Sequence, residues 1–222
     1  MKAPARIVTS ILLFLILVFV PAGSLNFWQG WIYIAIVMGS SIFLMLYLHR
    51  YDPELLRRRL NDKEHVSDQK LFRRLAGPLW ITGLLLSGLD HHSGWSNRFF
   101  GSVPTAVTLV SELLLLCSFL LLFHVLRFNT FAASIVQVEV GQHVISGGPY
   151  GKVRHPMYSS FLLFYLLTPF ALGSYLAVPV FLLLVPILLY RLLREEKFLA
   201  QELPGYAEYC MEVRYRLIPF IL

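Results

Sequence analysis

The chain has 222 residues, of which 57% are hydrophobic and 14% are charged, and its formal net charge at pH 7 is +6. A water-soluble domain of this length cannot bury so many apolar side chains in one core, so the composition excludes an ordinary soluble protein and indicates a membrane protein. Contact with anionic lipid headgroups accounts for the excess of Lys and Arg, and nucleic acid is not expected as a partner.

Long apolar runs predict the fold class, an all-α polytopic integral membrane protein with about six hydrophobic helices. A helix rises about 1.5 Å per residue, so about 20 residues cross a hydrocarbon layer of roughly 30 Å. The second and fourth runs reach that length, whereas the third, fifth and sixth are shorter and fit tilted, re-entrant or hairpin segments. The runs are residues 7–22, 27–48, 75–89, 103–126, 157–172 and 175–190.

The basic residues predict the orientation of these runs. The first run follows Lys2 and Arg6 as in a signal peptide, but Pro21 and a second apolar run come at its end. We therefore interpret it as a retained anchor, with a cleaved signal as the alternative. If the N-terminus is cytoplasmic and the runs alternate, 18 of the 19 Lys and Arg residues lie on the cytoplasmic side and only Arg98 lies opposite. Because basic loops stay in the cytoplasm, both termini are expected there.

Residues 1–126 are interpreted as the membrane-anchoring part of the chain. The sequence Asp52-Pro53-Glu54 between the second and third runs is typical of a helix start. Leucines then fall on one side of this segment and arginines on the other, which predicts a short amphipathic helix on the inner membrane surface. A solvated charged loop is the alternative. The residues concerned are Leu55, Leu56, Leu60, Arg57, Arg58 and Arg59.

The pattern of histidines and cysteines predicts no metal site. His91 and His92 follow Asp90, but adjacent residues on a helix point about 100° apart, and no third ligand is close in sequence. Cys117 lies in an apolar run and Cys210 in the predicted cytoplasmic tail, so neither a disulfide nor a pair of metal ligands is expected.

Residues 127–222 differ in character, because polar and conformationally special residues crowd the predicted membrane edges. Examples are Asn129-Thr130-Phe131, Gln142-His143 and the run from Gly147 to Tyr158. Irregular backbone near a bilayer persists where protein or a watery cavity satisfies its amides, so we expect a functional site here. Pro156 disfavours helical backbone at His155, which would place that side chain at the start of the fifth apolar helix. The alternative is a simple helix-entry turn.

Two carboxylates follow the sixth apolar run. Glu195 and Glu196 come after Arg191 and Arg194, and Arg191 precedes Glu195 by one helical turn. A carboxylate at a membrane edge is costly unless it is paired, so one of the two acids can be balanced within the helix. The other is then available to hold a cation. The alternative is a pair of solvated acids at the end of a basic helix.

The motifs of this second part resemble those of the isoprenylcysteine carboxyl methyltransferase family and its bacterial relatives. The resemblance rests on the order and spacing of several motifs from Asn129 to Pro219, and Asp52-Pro53-Glu54 also looks like the connector of bacterial members. One departure is Ser160, where the family often has Gly. The matching motifs are Gly148-Pro149-Tyr150, Arg154-His155-Pro156-Met157-Tyr158, Glu195-Glu196-Lys197-Phe198-Leu199, Gly205-Tyr206-Ala207-Glu208-Tyr209 and Val213-Arg214-Tyr215-Arg216-Leu217-Ile218-Pro219.

The resemblance implies a membrane methyltransferase that uses S-adenosylmethionine without a Rossmann domain, with residues 127–222 as the methyltransferase core. The sequence agrees, because it has no Gly-x-Gly-x-x-Gly motif after a strand and no alternation of strands and helices. Carried over by motif, Arg214 would orient the acceptor as the catalytic residue, and Tyr206 would help to bind it. The cofactor would be held by Gly148, Pro149, Tyr150, Val153, His155, Tyr158, Glu195 and Glu196.

The expected acceptor is a lipophilic molecule reached from the membrane, methylated at a carboxylate as in the family. A phospholipid amine N-methyltransferase is the rival within the same enzyme class. Membrane sterol reductases share an Arg-His-Pro-like motif but use a nicotinamide cofactor, and a small transporter or assembly factor is the non-enzymatic alternative. Mid-membrane charge pairs or internal repeats would mark a transporter, and neither is visible in the sequence.

Overall fold

A computed structural model describes residues 3–60, 67–132 and 141–221 of the chain. Within these ranges the regular structure is helical and contains no strand, which confirms the all-α part of the predicted fold. The helices are α1 (Ala3–Ala22), α2 (Trp28–Tyr51), α3 (Pro53–Leu60), α4 (Ser67–Ser93), α5 (Trp95–Phe99), α6 (Thr105–Phe128), the 3-10 helix Gly148–Gly151, α7 (Pro156–Ala171), α8 (Val178–Leu182), α9 (Leu184–Glu202) and α10 (Tyr206–Glu212).

Two of the described helices, α2 and α6, have 24 residues each and are long and apolar enough to cross a membrane. The apolar part of α1 and the whole of α7 are shorter. The predicted third run lies within α4, and the predicted sixth run is divided between α8 and α9. The number of membrane crossings stays a prediction.

The chain forms two compact units that are interleaved along the sequence. The first unit comprises residues 1–43, 76–117 and 163–185, and the second comprises residues 44–75, 118–162 and 186–222. The division predicted at residue 126, between a membrane-anchoring part and a methyltransferase core, does not coincide with the boundaries of these units. It was a division by function, and it stays a prediction. Every motif from Gly148 to Tyr158, from Glu195 to Leu199 and from Gly205 to Pro219 belongs to the second unit.

The second unit has two hydrophobic clusters. One joins the end of α2 to α3 and α6 through Leu48, Leu55 and Leu126, and Ala132 belongs to it. The other surrounds α10 and contains Leu203, Tyr206, Tyr209 and Val213. Burial of such side chains contributes about 1.5–3 kcal/mol each, so these clusters hold the segments that follow α6 and α9 in place.

Candidate functional site

The second unit contains a cavity with a volume of about 100 Å³. Its wall comes from the turn after α6, the segment 142–145, the 3-10 helix, the start of α7, the second half of α9 and α10. The lining residues are Asn129, Phe131, Ala132, Gln142, His143, Val144, Ile145, Tyr150, Arg154, His155, Met157, Tyr158, Arg191, Glu195, Leu199, Leu203, Tyr206 and Tyr209.

The glycine-rich run brings Tyr150 to the cavity. Gly148 has a positive φ of 57°, and a Cβ at this position would meet the ring of Phe128 at 2.6 Å, so the turn requires glycine. Tyr150 follows in the 3-10 helix, and its hydroxyl accepts a hydrogen bond of 2.9 Å from Nδ2 of Asn129. Its backbone carbonyl accepts one of 2.7 Å from the hydroxyl of Tyr209. Burial raises the pKa of Tyr150 to about 12, so its phenol stays neutral at physiological pH.

His155 is held by the C-terminal tail. The backbone N–H groups of Arg154 and His155 donate to the carbonyls of Tyr215 and Arg216 at 2.8 and 2.9 Å, so these two short segments lie side by side. Helix α7 begins directly afterwards at Pro156, as the sequence predicted for the fifth apolar run. The side chain of His155 is 5% exposed, and its Nε2 lies 3.4 Å from the hydroxyl of Tyr206.

Glu196 is surrounded by basic groups. Nε of Arg216 donates to its Oε2 at 2.8 Å, while Nε of Arg154 lies 3.0 Å from Oε1 in an ion pair that lacks hydrogen-bond geometry. Nε2 of His155 lies 3.4 Å from the same Oε1. Burial alone would raise the pKa of Glu196, but the nearby imidazole of His155, the hydrogen bond from Arg216 and the charge of Arg154 outweigh it and lower the pKa to about 2. Glu196 is therefore ionised at neutral pH.

Glu195 points to a different partner. The hydroxyl of Tyr158, which is only 2% exposed, donates to Oε2 of Glu195 at 2.5 Å and accepts from Nε of Arg191 at 3.0 Å. The guanidinium of Arg191 also lies over the ring of Phe72, 4.5 Å from its centroid. The spacing on α9 led us to expect a direct pair between Arg191 and Glu195, and the structure places the phenol of Tyr158 between the two.

The structure sorts the predicted site residues by their position. Five of them line the cavity, namely Tyr150, His155, Tyr158, Glu195 and Tyr206. Four others stand outside the lining, namely Gly148, Pro149, Val153 and Glu196. Arg214 is exposed on the segment after α10 and also lies outside the lining.

The sequence reasoning did not assign several lining residues to the site. Arg154 and Arg191 supply its positive charge, and Asn129, Phe131 and Tyr209 supply polar and aromatic wall. Arg154 and Tyr209 stood inside the quoted motifs, so their motif positions were an available signal. The turn at Asn129 and the pair Gln142-His143 had been noted as polar residues at a predicted membrane edge, but no single-sequence feature showed that they meet the same cavity.

The cavity combines a carboxylate, two guanidinium groups and several aromatic rings. Glu195 provides the negative charge, Arg154 and Arg191 provide the positive charge, and the tyrosines contribute aromatic rings, a type of group that attracts cations. Such a lining suits a ligand that carries both a cationic and an anionic group together with a flat or apolar part.

A model described as the isoprenylcysteine carboxyl methyltransferase (ICMT) family matches residues 106–201. This match confirms the resemblance drawn from the motifs. The matched stretch contains Tyr150, His155, Tyr158 and Glu195, and it ends before Tyr206 and Arg214. A search of curated proteins found no match to the chain.

Proposed function

We propose that this chain, whose residues 106–201 match the isoprenylcysteine carboxyl methyltransferase family, transfers a methyl group from S-adenosylmethionine to a lipophilic acceptor at the cytoplasmic face of the membrane. The observation that carries the proposal is a cavity, built largely from the family segment, that presents Glu195, Arg191 and Tyr158 together. The family is a methyltransferase family, and the choice of cofactor and acceptor is our inference.

The lining fits the chemical groups of S-adenosylmethionine. The cofactor has an ammonium and a carboxylate at one end, a sulfonium cation and a flat adenine ring, and it supplies an activated methyl group. Glu195 would hold the ammonium, and Arg154 or Arg191 would hold the carboxylate. The aromatic side chains of Tyr150 and Phe131 offer faces for the sulfonium or the adenine ring.

Carboxylate methylation matches the residues of this cavity better than chemistry that needs a strong base. A carboxylate acceptor is already ionised near neutral pH, so no side chain has to remove a proton. The protein then acts by alignment, which can contribute about 7–11 kcal/mol of barrier reduction, and by excluding water. The phenols of Tyr150, Tyr206 and Tyr209, whose pKa values burial raises, are suited to hydrogen bonding rather than to accepting protons.

We assign the acceptor to the region of Tyr206 and Arg214. Tyr206 is 5% exposed and lines the cavity, whereas Arg214 lies on the exposed segment that leaves α10. An acceptor that arrives from the membrane would have its carboxylate near Tyr206. The planar guanidinium of Arg214 would orient this carboxylate by donating to both of its oxygens. The distribution of basic residues supports the proposal that both termini and this tail lie in the cytoplasm, where the soluble cofactor is available.

Calorimetry on the detergent-solubilised protein tests the proposal. S-adenosylhomocysteine should bind the wild type, and Glu195→Gln should weaken this binding by at least about tenfold, because it removes a charge-assisted hydrogen bond worth about 1.5–3 kcal/mol. Glu202→Gln is the matched control, since Glu202 is exposed on the same helix and does not line the cavity. Binding of NADPH in place of S-adenosylhomocysteine would favour a reductase, and binding of neither would favour a non-enzymatic protein.

A further inference from the structure

Helix α3 lies outside the cavity lining and is firmly fixed in the second unit. Its first turn is capped by Asp52, whose Oδ1 accepts a hydrogen bond of 2.9 Å from the backbone N–H of Leu55. Leu55 is fully buried and belongs to the cluster that contains Leu126 and Ala132. The proposed reaction gives this helix no role, although its start at Asp52-Pro53-Glu54 was predicted from the sequence.

Two arginines of α3 donate hydrogen bonds to the turn that follows α6. Nη1 of Arg58 donates to the carbonyl of Thr130 at 3.2 Å, and its guanidinium lies over the ring of Phe131, 5.6 Å from the centroid. Nη1 of Arg59 donates to the carbonyl of Ala132 at 2.9 Å and lies 3.7 Å from Sδ of Met157. The guanidinium groups thus satisfy carbonyl groups of the turn that follows α6.

The turn that Arg58 and Arg59 bond, residues 129–132, also forms part of the cavity wall. Asn129, Phe131 and Ala132 all line the cavity, and so does Met157. Inside the turn, the N–H of Phe131 donates to Oδ1 of Asn129 at 2.9 Å, and Nδ2 of the same Asn129 donates to the hydroxyl of Tyr150 at 2.9 Å. A shift of the turn would therefore move an amide and an aromatic ring of the wall and disturb its link to Tyr150.

We propose that α3 is a positioning element for this cavity, in which Arg58 and Arg59 set the place of Asn129 and Phe131 in the ligand-binding wall. The effect on ligand binding rests on the function proposed above, while the effect on the turn does not. The two arginines act through the turn and do not line the cavity themselves. Lys cannot replace them fully, because a guanidinium donates from several nitrogens in a fixed plane and stacks on an aromatic ring.

Hydrogen exchange of the unliganded protein tests the first half of the proposal. In Arg59→Ala, the amides of Phe131 and Ala132 should exchange at least about tenfold faster than in the wild type, because the turn opens more often. Arg57→Ala is the matched control, since Arg57 is 79% exposed and bonds Glu54 on its own helix. Arg59→Lys is a second variant that can be measured if Arg59→Ala fails to fold. It keeps the charge, so its amides should exchange faster than those of the wild type but less than tenfold faster. Wild-type exchange of both amides in Arg59→Lys and Arg59→Ala would overturn the proposal.

A double-mutant cycle on the affinity for S-adenosylhomocysteine tests the second half. If Arg58 acts through Phe131, removing Arg58 should matter little once Phe131 is replaced. The fold-loss of affinity in the double variant Arg58→Ala with Phe131→Leu should then be no more than about twice the fold-loss in Phe131→Leu alone. The fold-losses of Arg57→Ala and Phe131→Leu should simply multiply. Multiplying losses for Arg58 as well would overturn the positioning role. The two proposals can fail separately. If the wild type binds no S-adenosylhomocysteine but the amides of Arg59→Ala still exchange faster, the proposed cofactor is refuted and the role of Arg59 in holding the turn is supported.

Discussion

The replacement of Glu196 by Gln tests whether this carboxylate holds the C-terminal tail in place. The side chain is 12% exposed, and its oxygens pair with Arg216 at 2.8 Å and with Arg154 at 3.0 Å. A pKa lowered from 4.5 to about 2 corresponds to an upper limit of about 3 kcal/mol at 1.36 kcal/mol for each pKa unit. Solvent screening at this partly exposed cluster reduces the figure, and we expect a loss of about 2 kcal/mol at pH 7.

Thermal unfolding followed by circular dichroism in detergent measures this loss. For a chain of this size, about 2 kcal/mol corresponds to a decrease in Tm of roughly 4–8 °C. The matched control is Glu208→Gln, because Glu208 is exposed on α10 and bonds none of the basic residues around Glu196. The affinity for S-adenosylhomocysteine should also fall about tenfold, since His155 loses a partner and the wall of the cavity loosens. Equal Tm values for Glu196→Gln and Glu208→Gln at pH 7 would refute the reasoning.

The same cluster predicts a pH dependence with a definite sign. Because the folded-state pKa of Glu196 lies below its ordinary value, its contribution to stability is fully present above about pH 4.5 and is lost as the pH falls towards 2. The difference in Tm between the wild type and Glu196→Gln should therefore shrink between pH 4.5 and pH 2. A difference that stays constant over this range would contradict the assignment of this stability to the charge of the carboxylate.

Two further predictions concern topology and the acceptor. Reporter fusions at Leu222 and at Asn97 should give opposite sides of the membrane, because 18 of the 19 basic residues fall on one side of the six-run topology. The same side at both positions would contradict that topology. Arg214→Lys should leave the affinity for S-adenosylhomocysteine nearly unchanged and lower methyl transfer to source-cell membrane extract by about one to two orders of magnitude, because an ammonium cannot align a carboxylate in two places. Full turnover by Arg214→Lys would make Arg214 a headgroup contact and leave the acceptor site to Tyr206 and its neighbours.

Apolar periodicity and length were sufficient to predict most helices of the described chain. Helix α6 occupies Thr105–Phe128, close to the predicted run 103–126, because a long apolar segment has few alternatives to a helix near a bilayer. Helix α3 begins at Pro53, one residue after its cap, as the sequence Asp52-Pro53-Glu54 indicated. The sixth run was less accurate, because α8 ends at Leu182 and α9 begins at Leu184 and extends to Glu202, well past the apolar residues.

The partners of the two adjacent glutamates show where single-sequence reasoning stops. Neighbours on a helix point about 100° apart, so Glu195 and Glu196 face different surroundings, and only the tertiary fold determines what those surroundings are. Glu195 meets the phenol of Tyr158 from α7, and Glu196 meets Arg216 from a tail twenty residues further along the chain. Charge spacing on α9 indicated Glu195 as the acid paired with Arg191 and left Glu196 available. In the structure it is Glu196 that lies among basic groups. Glu196 lies outside the cavity lining, beside a tail whose carbonyls bond the backbone at His155, whereas Glu195 lines the cavity and is the acid that we propose to meet a ligand.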